Sequence, residues 1–236
     1  GRGMVEVAPN LIGGAAATTF NNLTVGNAAG IQVATTTSVG GVLALNGGNI
    51  TTGVNTVIIK ATGSVNRTSG HVVGQLRKQI SANGTVVRTY EVGTAASYAP
   101  VELTINGVTG AGSGGFQFLT VNANAGDHPT LAASGIDPGQ STNLYWTVAT
   151  SGTWSFATYD ATFGFTPADV DAGADTSVFI VRRNNGGTWF AQPAGTRTPT
   201  STQSVGNTTF SDFAVGEPGG DATTTSLSCP ASVGYG

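Results

Sequence analysis

The first third of the chain is almost free of acid: between Glu6 and Glu91 there is no Asp or Glu. Sites that cleave glycosidic and similar bonds need carboxylates to give and take protons or to hold a metal, so this stretch offers no such site. Charge is sparse throughout. Asp, Glu, Lys and Arg make up 9 % of the 236 residues, against about 25 % in ordinary soluble domains. Cysteine is reduced to Cys229. That excludes an internal disulfide framework and leaves one thiol, either incidental or available to a second chain. No apolar run approaches the ~20 residues of a membrane-spanning helix. No leader-like segment is visible, and a start at Gly1 fits a mature, processed or partial chain. His71 and His128 lie far apart in sequence, with no Gly-x-Ser-x-Gly elbow and no phosphate loop opening a helix. These absences together point away from an enzyme.

What remains is Gly, Thr, Ser, Asn and short apolar runs. A chain that is 39 % hydrophobic with a net charge of -3 lacks the low hydrophobicity and high charge of disorder. Helix formers do not recur at helical spacing. Val, Ile, Thr and aromatic residues do cluster between Gly and Asn, which is the signature of strands and turns. The expected fold class is therefore all-β.

Two rhythms divide the chain. In residues 21–83, short runs recur at Leu23–Val25, Ile31–Val33, Val42–Leu45, Thr56–Ile59, Ser64–Asn66 and His71–Val73. Leu23, Leu43 and Val65 are about 20 residues apart, close to one turn of a β-solenoid. A coil cannot bury its apolar side alone, so coils stack, and the two ends of the stack expose strand edges. The alternative is a few added strands of a meander. Residues 84–217 carry longer alternating runs, among them Thr85–Val92, Val101–Ile105, Phe116–Val121, Leu144–Val148, Trp154–Tyr159, Ser177–Arg182 and Thr209–Val215. Such strands with regular turns predict an immunoglobulin-like β-sandwich, with Trp146, Trp154 and Trp189 in strands and packed in its core. Residues 1–20 read as an N-terminal arm with one possible donated strand, Met4–Val7. Residues 218–236 read as a tail in which Thr223–Ser228 is a strand, a linker or a donated segment.

Several stretches resemble very large secreted surface proteins of environmental Gram-negative bacteria. They are Ser64-Val-Asn-Arg-Thr-Ser-Gly-His-Val-Val-Gly-Gln-Leu-Arg-Lys78, Tyr90-Glu-Val-Gly93, Gly126-Asp-His-Pro129, Asn143-Leu-Tyr-Trp146, Tyr159-Asp-Ala-Thr-Phe163, Asp169-Val-Asp-Ala-Gly-Ala-Asp175 and Phe210-Ser-Asp-Phe-Ala-Val-Gly-Glu217. The resemblance covers roughly residues 20–217, with the motifs in the same order. It implies β-rich, adhesin-like stalk modules, secretion and surface display, and it supplies no catalytic residue. This chain is short beside those giant proteins, which favours a self-associating subunit over one module of a long stalk.

Two constellations carry chemistry. Asp169, Asp171 and Asp175 lie on one Gly-containing loop. Spaced carboxylates of this kind can hold Ca²⁺, or simply form a solvated turn, and no other cofactor is suggested. Sequons at Asn22, Asn49, Asn66, Asn83 and Asn207 are no more frequent than the Thr and Ser content makes by chance. The second constellation is the charge split. Lys60, Arg67, Arg77, Lys78 and Arg88 fall in the acid-free stretch, whereas residues 91–236 hold 11 acids and three bases. Opposite fields favour head-to-tail contact between copies, and such a contact closes a ring or grows a filament. The alternative is two solvated faces that never meet. The expected function is an extracellular, cell-surface structural protein that assembles into a pilus-like fibre. The strand Met4–Val7 (Met4, Val5 and Val7) or Thr223–Ser228 would complete a neighbour's sheet. The alternative is a monomeric adhesin or carbohydrate-binding module that meets glycans. Nucleic acid is disfavoured as a partner by the net negative charge.

Overall fold

The computed structural model describes residues 10–112 and 116–220. The segment Met4–Val7, the run Thr223–Ser228 and Cys229 lie outside the described residues. The fold is all-β with a solenoid-like arrangement. Its first coil is β1 (Asn10–Ile12), β2 (Thr18–Phe20) and β3 (Leu23–Val25). The second is β4 (Ile31–Val33), β5 (Thr37–Val39) and β6 (Val42–Leu45). In the third, β7 (Ile50–Ile59) covers two faces and β8 (Ser64–Arg67) the third. Next comes β9 (Val72–Gln79).

Every pairing within the stack is parallel. Asn10, Ile31, Ile50 and Val72 align on one face, and Thr18, Thr37, Val57 and Leu76 on the next. Leu23, Leu43 and Val65 align on the third, the spacing visible in the sequence. Alternation explains the inward column. β4 and β5 each bury their first and third residues and leave the middle one more open. Val39, Leu43, Leu45, Ile50, Val57 and Leu76 are fully buried. The corners are glycine for a steric reason. A Cβ on Gly48 would strike the backbone of Asn27 and Gly30, and one on Gly70 would strike the carbonyl of Gly48. Strands of neighbouring coils lie about 4.8 Å apart, which leaves no room for a side chain between stacked corners.

The second half contains β10 (Gly84–Tyr90), β11 (Val92–Gly93), β12 (Val101–Val108), β13 (Phe118–Ala125), β14 (Ile136–Ser151) and β15 (Thr158–Gly164). It continues with β16 (Ile180–Asn185), β17 (Thr188–Ala191), β18 (Ala194–Thr198), β19 (Ser201–Asn207) and β20 (Asp212–Pro218). The two halves share a sheet. β9 is parallel to β7 on one side and antiparallel to β13 on the other, so Leu76 aligns with both Val57 and Val121. From β13 that sheet runs on through β14, β20, β16 and β17, while β10, β12, β15, β19 and β18 form a second, antiparallel sheet. Side chains of both sheets meet in one core. The Trp146 ring lies 5.1 Å from Phe163, which lies 5.1 Å from Phe213. Trp146 is fully buried, and its indole N–H donates to the Ala99 carbonyl at 2.9 Å.

The fold departs from the sequence reading at several points. The arm expected over residues 1–20 is partly structural, because β1 and β2 belong to the first coil. The boundary expected at residue 83 falls where the sheet is continuous, and β11 adds a further parallel rung to β9 beyond it. Trp154 precedes the strand that begins at Thr158 and is only partly buried. Thr176–Val178 forms a 3-10 turn, because the Asp175 side chain accepts from the Ser177 N–H and holds the chain out of extended conformation.

The stack predicts a sharp contrast between inward and outward residues. Leu43→Ala should cost about 2–5 kcal/mol in urea unfolding. Val54→Ala, at a side chain 94 % exposed, should stay within about 0.5 kcal/mol. Equal losses at the two positions would contradict the assigned interior.

Candidate functional site

A cleft of about 270 Å³ lies between the solenoid and the second sheet. Two strands border it. β8 pairs with β6 on one side and has no strand on the other among the described residues, and β10 likewise pairs only with β12. Both are edge strands. Val87, Arg88 and Thr89 of β10 all line the cleft, as do Ser64 and Val65 of β8. Successive side chains of a strand point to opposite faces, so consecutive residues meet a cleft along a strand edge. Apolar Ile59, Val65 and Val87 line it together with the cations Lys60, Lys78 and Arg88.

The five basic residues of the acid-free stretch serve different ends. Lys78 is not a surface contact residue. It is buried, and its Nζ sits 2.6 Å from Oε2 of Glu91, with both side chains about a tenth exposed. Burial pulls the Lys78 ammonium below its ordinary pKa, and the adjacent Glu91 charge opposes that shift. The first carboxylate after the gap thus neutralises a cation that folding takes out of water. The Arg67 guanidinium lies 3.5 Å from the centre of the Tyr98 ring. Arg77 donates from Nε to Oγ1 of Thr120 at 2.9 Å, which braces β9 against β13. Lys60 is exposed, and Arg88 is partly exposed with a donated bond to the Val87 carbonyl. Lys60 and Arg88 therefore supply the accessible positive charge of the cleft.

The three aspartates on one loop are each occupied by hydrogen bonds, two of them within the loop and the third to β14. Asp169 accepts from the N–H and hydroxyl of Thr166, both at 2.8 Å. Asp171 accepts from the Ser141 N–H and the Asn143 amide, both at 2.9 Å. Asp175 accepts from the Ser177 N–H. Each fixes a turn or a loop. No group of three or more His, Cys, Asp or Glu side chains converges on a metal-sized site among the described residues. One acidic contact escaped sequence reasoning: the Ser141 hydroxyl lies 3.2 Å from Asp127 and 3.4 Å from Asp171. Burial, helped by the Asp171 charge, raises the Asp127 carboxyl against the Ser141 hydrogen bond.

A second missed cluster centres on His128. Its ring is buried edge-on between Tyr145, at 5.0 Å, and Trp189, at 4.8 Å. Nδ1 accepts from the Thr130 N–H at 3.2 Å, and Nε2 lies 3.5 Å from Asp212. Trp189 donates to the Thr130 carbonyl, so the ring is anchored at its polar end. These residues come from β14, β17, β20 and the loop between β13 and β14. No sequence spacing announces them. The other histidine, His71, is buried at a corner of the stack, and its Nε2–H donates to the Thr94 carbonyl at 2.7 Å. Burial holds it below the usual histidine pKa.

No protein-family model, curated protein or solved structure matches this chain.

Two predictions follow the buried groups. Lys78→Met strands the Glu91 carboxylate and should cost about 3–5 kcal/mol, whereas Lys78→Met with Glu91→Leu should recover most of that loss. Denaturant titration of both variants checks it, and equal losses would contradict the pairing. His71 binds its proton more weakly folded than unfolded. Its contribution is full above its unfolded pKa of about 6.5 and is lost as pH falls through the lower folded value. Thermal midpoints should therefore fall from pH 7 to 5, and His71→Gln should flatten that slope. An unchanged slope would contradict it.

Proposed function

We propose that the chain is an extracellular structural protein whose copies join into a surface fibre through unpaired strand edges. The observation that supports this best is the first coil. β1, β2 and β3 each pair with the second coil and have no strand on their outer side among the described residues. Leu11 of β1 is 65 % exposed there. An open row of N–H and C=O groups beside exposed apolar side chains is a template for further pairing. Cell-surface placement belongs to the same proposal and rests on composition and the resemblance to secreted surface modules. So does the reading of the second half as an immunoglobulin-like sandwich. An antiparallel sheet faces the antiparallel part of the shared sheet with Trp146 between them, which supports that reading. No helix among the described residues is long and apolar enough to cross a membrane.

A monomeric adhesin is the second reading. It is favoured by an open groove of about 430 Å³ where Tyr145 stands beside Asn122, Asn124 and Thr51. An aromatic face with amide and hydroxyl groups suits a neutral sugar.

Sedimentation and negative-stain electron microscopy of the full chain separate the two. The fibre reading expects concentration-dependent oligomers and filaments. It also expects Leu11→Lys, a charge on the open edge, to shorten or abolish them. A full chain that stays monomeric overturns it. Glycan binding by that monomer, lost with Tyr145→Ala, would transfer the conclusion to the adhesin.

A further inference from the structure

We infer that the cleft between β8 and β10 is an acceptor slot for an extended segment of a second copy, and that the segment is Met4–Val7. Three observations converge on it. First, the slot is bordered by two strand edges that both lack partners among the described residues. An inserted strand would become the fourth rung of the face formed by β3, β6 and β8. Second, the lengths agree: β8 spans four residues, Ser64–Arg67, and Met4-Val-Glu-Val7 is four residues, alternating over Val5, Glu6 and Val7. Third, the chemistry is complementary. Val5 and Val7 fall on one side of an extended segment and match Val65, Val87 and Ile59 of the cleft. Glu6 falls on the other side, and it is the sole carboxylate before Glu91. It meets the accessible charge of Lys60 and Arg88. Lys78 takes no part in that recognition, because Glu91 already neutralises it.

This assignment rests on the fibre reading for its second copy. It gives that fibre a direction: the N-terminal segment of one subunit enters the last solenoid edge of the next. A contact between two different surfaces closes a ring or grows an open filament, and the fibre reading takes the second outcome. Main-chain hydrogen bonds supply the adhesion, and the alternating side chains set the register.

The test uses the full chain with Cys229→Ser, so that introduced thiols are the only ones. A Val5→Cys variant is mixed with a Val87→Cys variant under mild oxidation. Val87 is 54 % exposed, and Val54→Cys, at 94 % exposure, is the control partner. The slot expects a mixed disulfide with Val87→Cys in clear excess over that with Val54→Cys. Equal yields, or none, overturn it. A synthetic peptide of residues 1–10 is the second arm. It should bind the full chain, shift the amide resonances of Val87 and Arg88, and bind about tenfold more weakly with Glu6→Lys at low salt. Peptide binding to a chain that never forms filaments supports the slot and overturns the fibre. Filaments without either cross-link or peptide binding keep the fibre and overturn the slot.

Discussion

A strand with one bare edge is half satisfied, and the architecture of this protein follows from where its strand edges are paired and where they are not. Backbone N–H and C=O groups need partners, and a solenoid coil cannot provide them internally. It takes them from the coil before and the coil after. Three faces of coils therefore stack in register, and glycine is required wherever corners approach backbone to backbone. At the far end the requirement is met on part of the stack by β13, which pairs with β9 in the opposite direction. The solenoid thus passes into antiparallel structure through one shared strand. On the third face nothing comparable caps β8 among the described residues. The cleft lies where that capping is incomplete.

The distribution of charge obeys the same geometry. A stretch without acids can hold its cations only on the surface, over aromatic rings, or against a carboxylate supplied from elsewhere. All three solutions occur. Lys60 is exposed, Arg67 lies over Tyr98, and Lys78 is buried against Glu91. The buried pair is weak evidence of stability in itself, because desolvation offsets its attraction. Its clearer consequence is that, of the three cations lining the cleft, only Lys60 and Arg88 offer accessible charge.

Much of the solenoid was legible in sequence. A stacked coil must return to the same face after a fixed length, so Leu23, Leu43 and Val65 recur at that length and align in space. Alternation of strands and the burial of Trp146 were legible for the same reason, a local period imposed by a shared interior. The double role of β9 was not, because parallel and antiparallel partners leave the same mark on an alternating strand. The burial of Lys78 was hidden as well. Lysine at such a spacing reads as a solvated residue until its carboxylate is known to cross to it. The cluster of His128, Tyr145 and Trp189 depends on the spatial order β14, β20, β16, β17, and chain order does not contain that. For the aspartates the sequence showed spacing but not direction: Asp169 and Asp175 turned to their own loop, and Asp171 turned to Ser141 and Asn143 of β14.

On the proposed reading, copies associate through bare strand edges, with those of β8 and β10 as the accepting edges. Amide hydrogen exchange of the full chain, compared between dilute and concentrated samples, tests this most directly. Protection gained on association should be concentrated in Ser64–Arg67 and Gly84–Tyr90, with the paired strand Val42–Leu45 unchanged. Association with no added protection in those two strands would contradict it.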